Sequence, residues 1–247
     1  RATRKQVVDQ AVVVSLSSEN PAVIQVPASA TMAAGTYYNS SVNIQAVGTG
    51  SSTLTAAASG WDSKTSGAIT VIGPWFKADV VVGTGTQTSG AVGLTGATAP
   101  AGGYTINLTS SDPSIASVPA TVTIPQGSSV ANFTIVGKAV GTASITASVA
   151  GFTATSGPVT VVKSTFEWRN FPTQMTLGGT VGVQVWTYVP NGISYDSGGN
   201  RYGRTYQFVD QAVVVSLSSE NPAVIQVPAS VTIAAGSYYN SFNIQAV

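Results

Sequence analysis

The chain has 247 residues, with 10 Lys+Arg against 9 Asp+Glu, and charged residues make up only 8% of it, where a soluble globular domain averages about 25%. A net charge of +1 supplies no long-range field to gather phosphate backbones or anionic lipid, which argues against nucleic acid as a partner. The chain contains no Cys and no His, so disulfides, thiolate or imidazole metal sites and a histidine general base are all excluded.

Polarity comes instead from 30 Ser and 30 Thr. The longest apolar runs, such as Ala11 to Val14, fall far short of the 18 or so residues of a membrane helix, so no membrane span is expected. The chain opens on Arg1 without a leader pattern, as expected of a processed product or an excerpt.

Repeats organise the rest. Val8 to Ser29 returns letter for letter as Val209 to Ser230, and the likeness runs on to Ser40 and Ser241 with only Ala30/Val231, Met32/Ile233 and Thr36/Ser237 changed. Phe242 then answers Ser41-Val42, and Asn43 to Val47 returns as Asn243 to Val247. A more distant copy lies between them: Leu108 to Pro113 echoes Leu16 to Pro21, and Val118 to Thr121 echoes Val26 to Ser29.

In chain order, closing strands are predicted near Leu54 to Ala58 and Ala68 to Ile72. In the middle, Ile106 and Leu108, then Phe133 and Ile135, then Ala143, Ile145, Ala147 and Val149 alternate with Ser, Thr and Asn. That period-two pattern belongs to strands with one buried and one wet face. Gly- and Pro-rich turns separate these runs, among them Ala99 to Gly103, Pro125 to Gly127 and Ser156 to Pro158. Opening strands of a last copy are predicted at Thr173 to Leu177 and Val181 to Val189. No stretch has helical periodicity, so the class is all-β, built as two-sheet sandwiches.

The wording "TINLTSSDPSIASVPATVTIPQGSSVANFTI" followed by "AVGTASITASVAG" resembles the bacterial Ig-like tandem repeats of secreted and cell-surface proteins, including adhesins, S-layer-type proteins and appendages of exported enzymes. The resemblance covers residues 79–162 fully and the flanking copies in part. It implies tandem Ig-like β-sandwich domains arranged linearly, a spacer or building-block role, and an extracellular or cell-surface location. The Cys pair of antibody domains is absent.

The domains expected are 1–74, an Ig-like domain lacking its first strands; 75–163, a complete one; and 164–247, one with a loop insertion at about 190–208 and lacking its last strands. Each outer piece holds what the other lacks, and unpaired edges invite association. Two accounts stand: a longer chain supplies the missing strands, or subunits join head to tail and complete one another by β-augmentation.

The insertion follows from spacing: 30 positions separate Val185 from Val215, whereas 12 separate their counterparts Leu94 and Ile106. Its Tyr195, Arg201, Tyr202, Arg204 and Tyr206 are residue types enriched at protein contacts and glycan-stacking surfaces; the alternative is an extended hairpin with ordinary Tyr cover. The pairs Tyr37-Tyr38 and Tyr238-Tyr239 each place one ring outward, as packing between subunits, a glycan platform or simple sheet cover. Trp75, Phe76, Phe166 and Trp168 read as wedges between successive domains.

Asp196 to Asn200 offers one carboxylate, which suits a turn and not a calcium site. Asn39, Asn107 and Asn132 begin sequons compatible with N-glycosylation. Neither a catalytic constellation nor a cofactor motif emerges, and the chain reads as a non-enzyme whose partners are copies of itself and, on the rival reading, glycans.

Overall fold

The computed structural model describes residues 6–39 and 41–247, and among them every regular element is a strand. The chain forms two compact units: the first takes in the chain up to Pro74 with Val149–Phe152, and the second takes in Trp75–Ser148 and Thr153–Val247.

In the first unit, β1 (Val12–Ser18), β2 (Ile24–Gln25), β3 (Ser29–Met32), β4 (Gln45–Ala46), β5 (Gly50–Ser52), β6 (Leu54–Ala57), β7 (Lys64–Thr65) and β8 (Ile69–Val71) follow in order. They form a sheet ordered β3-β1-β6-β7 and two strand pairs, β2-β4 and β5-β8. Buried Ser52 bonds Ser18 Oγ at 2.9 Å and accepts from Asn20 N at 2.9 Å, tying the turn after β1 to β5.

The second unit begins with β9 (Trp75–Lys77), β10 (Val81–Gly83), β11 (Thr86–Gly93), β12 (Tyr104–Ser110), β13 (Ala116–Ser117), β14 (Thr121–Ile124), β15 (Val130–Gly137), β16 (Gly141–Ala143), β17 (Ile145–Val149), β18 (Phe152–Thr155) and β19 (Val159–Val162). One layer is β14-β12-β17-β18, and facing it lie β13-β15-β11 with β9 and the group β16-β19-β10. The alternation read from sequence is the packing pattern: Ile106, Leu108, Phe133, Ile135, Ala143, Ile145 and Ala147 share one core, while Asn107 and Thr134 face out. Burying each large aliphatic side chain contributes about 1.5 to 3 kcal/mol.

The last stretch holds β20 (Thr165–Arg169), β21 (Thr180–Tyr188), β22 (Ile193–Tyr195), β23 (Arg201–Gly203), β24 (Phe208–Val209), β25 (Val213–Ser216), β26 (Ile225–Gln226), β27 (Ser230–Ile233) and β28 (Tyr239–Ala246). Its sheet runs β20-β21-β28-β26, with β25-β27 as a pair against it. Val185, Val209, Val215, Val231 and Ile233 make its core, with Phe242 packed alongside.

The strand expected at Thr173 to Leu177 is absent; that stretch is irregular and Leu177 is 81% exposed. Its counterpart β10 is a strand because it lies between β19, parallel, and β22, antiparallel. No described strand offers residues 173–177 such neighbours, and an unpaired backbone gains nothing from extension.

Candidate functional site: a docked hairpin and an open groove

The insertion is a hairpin, β22 against β23, and it does not project freely. β22 pairs with β10 and β24 pairs with β11, so the insertion extends both halves of the central sandwich layer. Hydrogen bonds fix this seam: Thr88 Oγ1 donates to Ile193 O at 3.0 Å, Ser89 N to Ser194 Oγ at 3.1 Å, and Asp210 N to Gly85 O at 3.0 Å.

Its centre is Gln207, fully buried. The Oε1 accepts from Gly83 N at 3.1 Å and from the Thr86 hydroxyl at 3.0 Å, while Nε2 donates to Val81 O at 2.8 Å. Thr187 Oγ1 donates to Gln207 O at 2.8 Å and holds the backbone from the other side. Every polar atom of the carboxamide therefore replaces the water it lost with protein partners.

Tyr195, expected at a surface contact, is only 3% exposed and joins the central core. Its hydroxyl donates to Asp79. Arg201 reaches the same carboxylate at 3.4 Å, a half-exposed ion pair worth at most about 1 kcal/mol. Burial first, then the hydrogen bond to Asp79 and that group's charge, push the Tyr195 phenol well above its ordinary value of 10. The protonated phenol is the form the fold favours. Its contribution to stability is complete below pH 10 and is lost as pH rises beyond it. The urea midpoint of the native protein should therefore fall more between pH 8 and pH 11 than that of Tyr195→Phe; equal slopes would contradict this.

Asp196 closes the hairpin turn. Its carboxylate accepts from Asn200 N at 2.9 Å, from the Asn200 side chain and from Gly198 N at 2.8 Å, and these bonds hold it below the usual carboxylate range. Its oxygens are thus turned inward on their own loop. Gly199, at φ +74°, lies under the Trp75 ring, where a Cβ would come within 2.4 Å of that ring.

Asn132 meets the hairpin as well. Its side-chain amide donates to Tyr195 O at 3.1 Å and to Asp196 O at 2.8 Å, so it clips the hairpin. Asn107 does face outward. Asn39 donates to Thr31 O at 2.8 Å, and Ser40 of its sequon lies outside the described residues.

The wedge residues divide. Trp75 lies over Gly93 and Gly199 and so touches both the central sandwich and the hairpin. Phe76 stacks on Phe133 at 5.7 Å inside the central core. Trp168 meets Phe171 and Phe242 of its own segment, and Phe166 is 46% exposed. For Phe166 and Trp168 the reason is that β20 pairs with β21, which makes residues 165–169 an edge strand of one sheet.

Tyr206 belongs to an aromatic cluster around Trp186, which also meets Tyr238 and Tyr239, each at 5.0 Å. The Arg169 guanidinium lies 4.4 Å from the Trp186 ring and 4.7 Å from the Tyr206 ring, a cation–π arrangement. The Tyr206 hydroxyl donates to Glu167, and this bond leads the causes that raise its pKa. Arg204 donates to Tyr202 OH at 3.0 Å and covers Phe208 at 4.4 Å.

The other Tyr pair is more open to solvent. Tyr37 is 46% and Tyr38 58% exposed, with their rings 5.0 Å apart. The first unit also opens a groove of about 520 Å³ whose apolar lining includes Leu16, Val26, Val42, Ile44, Leu54 and Ala56. Two copies of one sequence thus have opposite burial: Ile244 is 1% exposed and Ile44 53%, whereas Val224 is 54% exposed and Val23 5%.

Sequence reasoning missed Gln207, Ser194, Asp79, Trp186 and Arg169. One signal was available for Gln207: Gln6-Val7-Val8-Asp9-Gln10 matches Gln207-Phe208-Val209-Asp210-Gln211 at all but one position.

No protein-family model matches this chain, and no curated protein matches it. Among solved structures it is similar to domains 4–9 of the surface layer protein SbsC, at 17% identity and a TM-score of 0.32, covering 100% of this chain and 36% of that one. It is also similar to the D0-D1 domain of Intimin, at 16% identity and a TM-score of 0.30, covering 62% and 82%. A third similarity is to Escherichia coli alpha-2-macroglobulin activated by porcine elastase, at 10% identity and a TM-score of 0.23, covering 98% and 27%. The chain spans about a third of the length of the SbsC structure named first, and none of these proteins assigns a role to a residue here.

Proposed function

We propose that this chain is a non-enzymatic building block of a cell-surface or extracellular assembly, a filament, stalk or surface layer. Copies continue head to tail through Ig-like sandwich domains in single file, by strand complementation, with divisions near 74/75 and 163/164. One observation carries this reading: in one copy of the repeated segment β21 pairs along the edge of β28 and Ile244 is 1% exposed, whereas in the other copy, among the described residues, no strand takes the place of β21 and Ile44 is 53% exposed. A bare sheet face with an unpaired edge favours association over solvation.

The seam supports it as well. Gln207 seats the last copy on the preceding sandwich, and Gln6 stands at the same place in the first copy, exposed. Low charge suits close packing of copies, because it leaves little repulsion for salt to screen. The absence of His and Cys and the scatter of the nine carboxylates speak against catalysis.

The test is imaging of the purified chain across a concentration series. Ordered end-to-end polymers are expected, and a monodisperse monomer at high concentration would count against the reading. The exposed Tyr37 and Tyr38 favour a second reading, an adhesin or carbohydrate-binding array. Glycan-array binding that disappears in Tyr37→Ala/Tyr38→Ala would support that alternative.

A further inference from the structure

We propose that the groove of the first unit receives the strand Thr180–Tyr188 of a second copy of this chain, in the register that strand keeps with β28. This rests on the head-to-tail reading and names its donor. The observation behind it is internal to the chain. The residues flanking the groove, Asn43 to Val47, are those of Asn243 to Val247, and in the second copy the structure places a definite strand over them. There Thr180 stands opposite Gln245, Val181 opposite Ile244 and Val183 opposite Phe242. Val183 and Val185 of that strand are completely buried.

The local frame that would receive the strand is already the same in both copies. Ile24 pairs with Ala46 and Gln25 with Gln45, as Ile225 pairs with Ala246 and Gln226 with Gln245. Asn39 donates to Thr31 O as Asn240 donates to Thr232 O. Val8 N donates to Thr36 O as Val209 N donates to Ser237 O. What differs is the length of the strand: β28 has 8 residues and pairs with β21, whereas β4 has 2 and, among the described residues, pairs with β2 alone. The predicted register is therefore Thr180 with Gln45, Val181 with Ile44, Gly182 with Asn43 and Val183 with Val42, the extra residue of the first copy being accommodated as a bulge near Ser41.

For the exchange, the 38–46 segment replaces β28 at the edge of β21. Because the two segments are nearly identical, the backbone bonds given up are regained one for one, which is why exchange of identical elements is a low-cost route to association. The incoming copy also brings β5 to β8, which follow its own copy of the repeat. Those strands accompany the burial of Val23 at 5%, where Val224 stands 54% exposed. A hybrid of residues 165–208 from one copy with 8–72 from another thus covers the Ile44 face and the Val23 face together, which neither copy of the repeat achieves alone.

The chain has no cysteine, so engineered thiols are the only ones present. Thr180 and Gln45 are both exposed, and single variants Thr180→Cys and Gln45→Cys should fold as the parent does. Mixed and oxidised, they are expected to give a covalent heterodimer, mapped by peptide mass. Its yield should exceed that of Thr180→Cys with Asn43→Cys by about tenfold, since a disulfide needs Cα atoms within about 7 Å. No heterodimer, or equal yields from both pairings, in samples that still polymerise would overturn the donor and register while leaving the head-to-tail reading intact. No heterodimer in samples that remain monomeric would remove both.

Discussion

Gln207→Glu is expected to be the most damaging single-atom change in the second compact unit. The carboxylate keeps an acceptor for Gly83 N and the Thr86 hydroxyl but replaces the donor that faces Val81 O at 2.8 Å with a second acceptor, in a fully buried site. Two oxygens then face each other without a proton, or the group takes up a proton to donate one. Leaving such a charge buried and unpaired costs about 3 to 5 kcal/mol. Gln207→Leu should cost less, about 2 kcal/mol, because the Thr86 hydroxyl can still donate to Gly83 O and accept from Gly83 N, leaving Val81 O as the main unsatisfied group. Gln6→Leu supplies the control, since Gln6 is exposed and should be silent in the isolated chain. Urea denaturation, with hydrogen exchange at Ile193 to Val209, would decide; a Glu variant as stable as the parent would mean that the carboxamide does not hold the seam.

The second large effect is a contrast between two copies of one isoleucine. Ile244→Ala should lose about 3 kcal/mol, because this side chain is 1% exposed and stands beside Val181 of β21. Ile44→Ala, in the same local sequence, should change the stability of the dilute chain by no more than about 0.5 kcal/mol, because Ile44 is 53% exposed. The order reverses for Val224→Ala and Val23→Ala, where the first copy is the buried one. Thermal denaturation of the four variants in dilute solution measures this. Equal losses at Ile244 and Ile44 would mean that the isolated chain already covers both faces.

Much of the fold can be read directly from side-chain order. Period-two alternation over Tyr104 to Ser110 and Ile145 to Val149 predicts strands with one buried face, and those strands form one layer of the central sandwich. The spacing between Val185 and Val215 likewise announces the insertion. Its destination could not be read, because β22 finds its partner in β10, more than a hundred residues earlier, and nothing local in Ile193 to Tyr195 encodes that neighbour. The same limit explains why Tyr195 reads as a surface group: it has a polar end, and only the docking of the hairpin buries it and brings its hydroxyl to Asp79.

By itself the sequence determined the class, the repeat and the turn positions, since backbone preference and apolar alternation act over a few residues and need no partner. Tertiary structure alone decided which of two nearly identical segments becomes an eight-residue strand and which keeps two paired residues. A strand's hydrogen bonds are made with a neighbour rather than within itself. Asn243 to Ala246 is extended because Thr180 to Gly182 lies beside it, while Asn43 to Ala46 carries the same letters and, among the described residues, pairs only at Gln45 and Ala46.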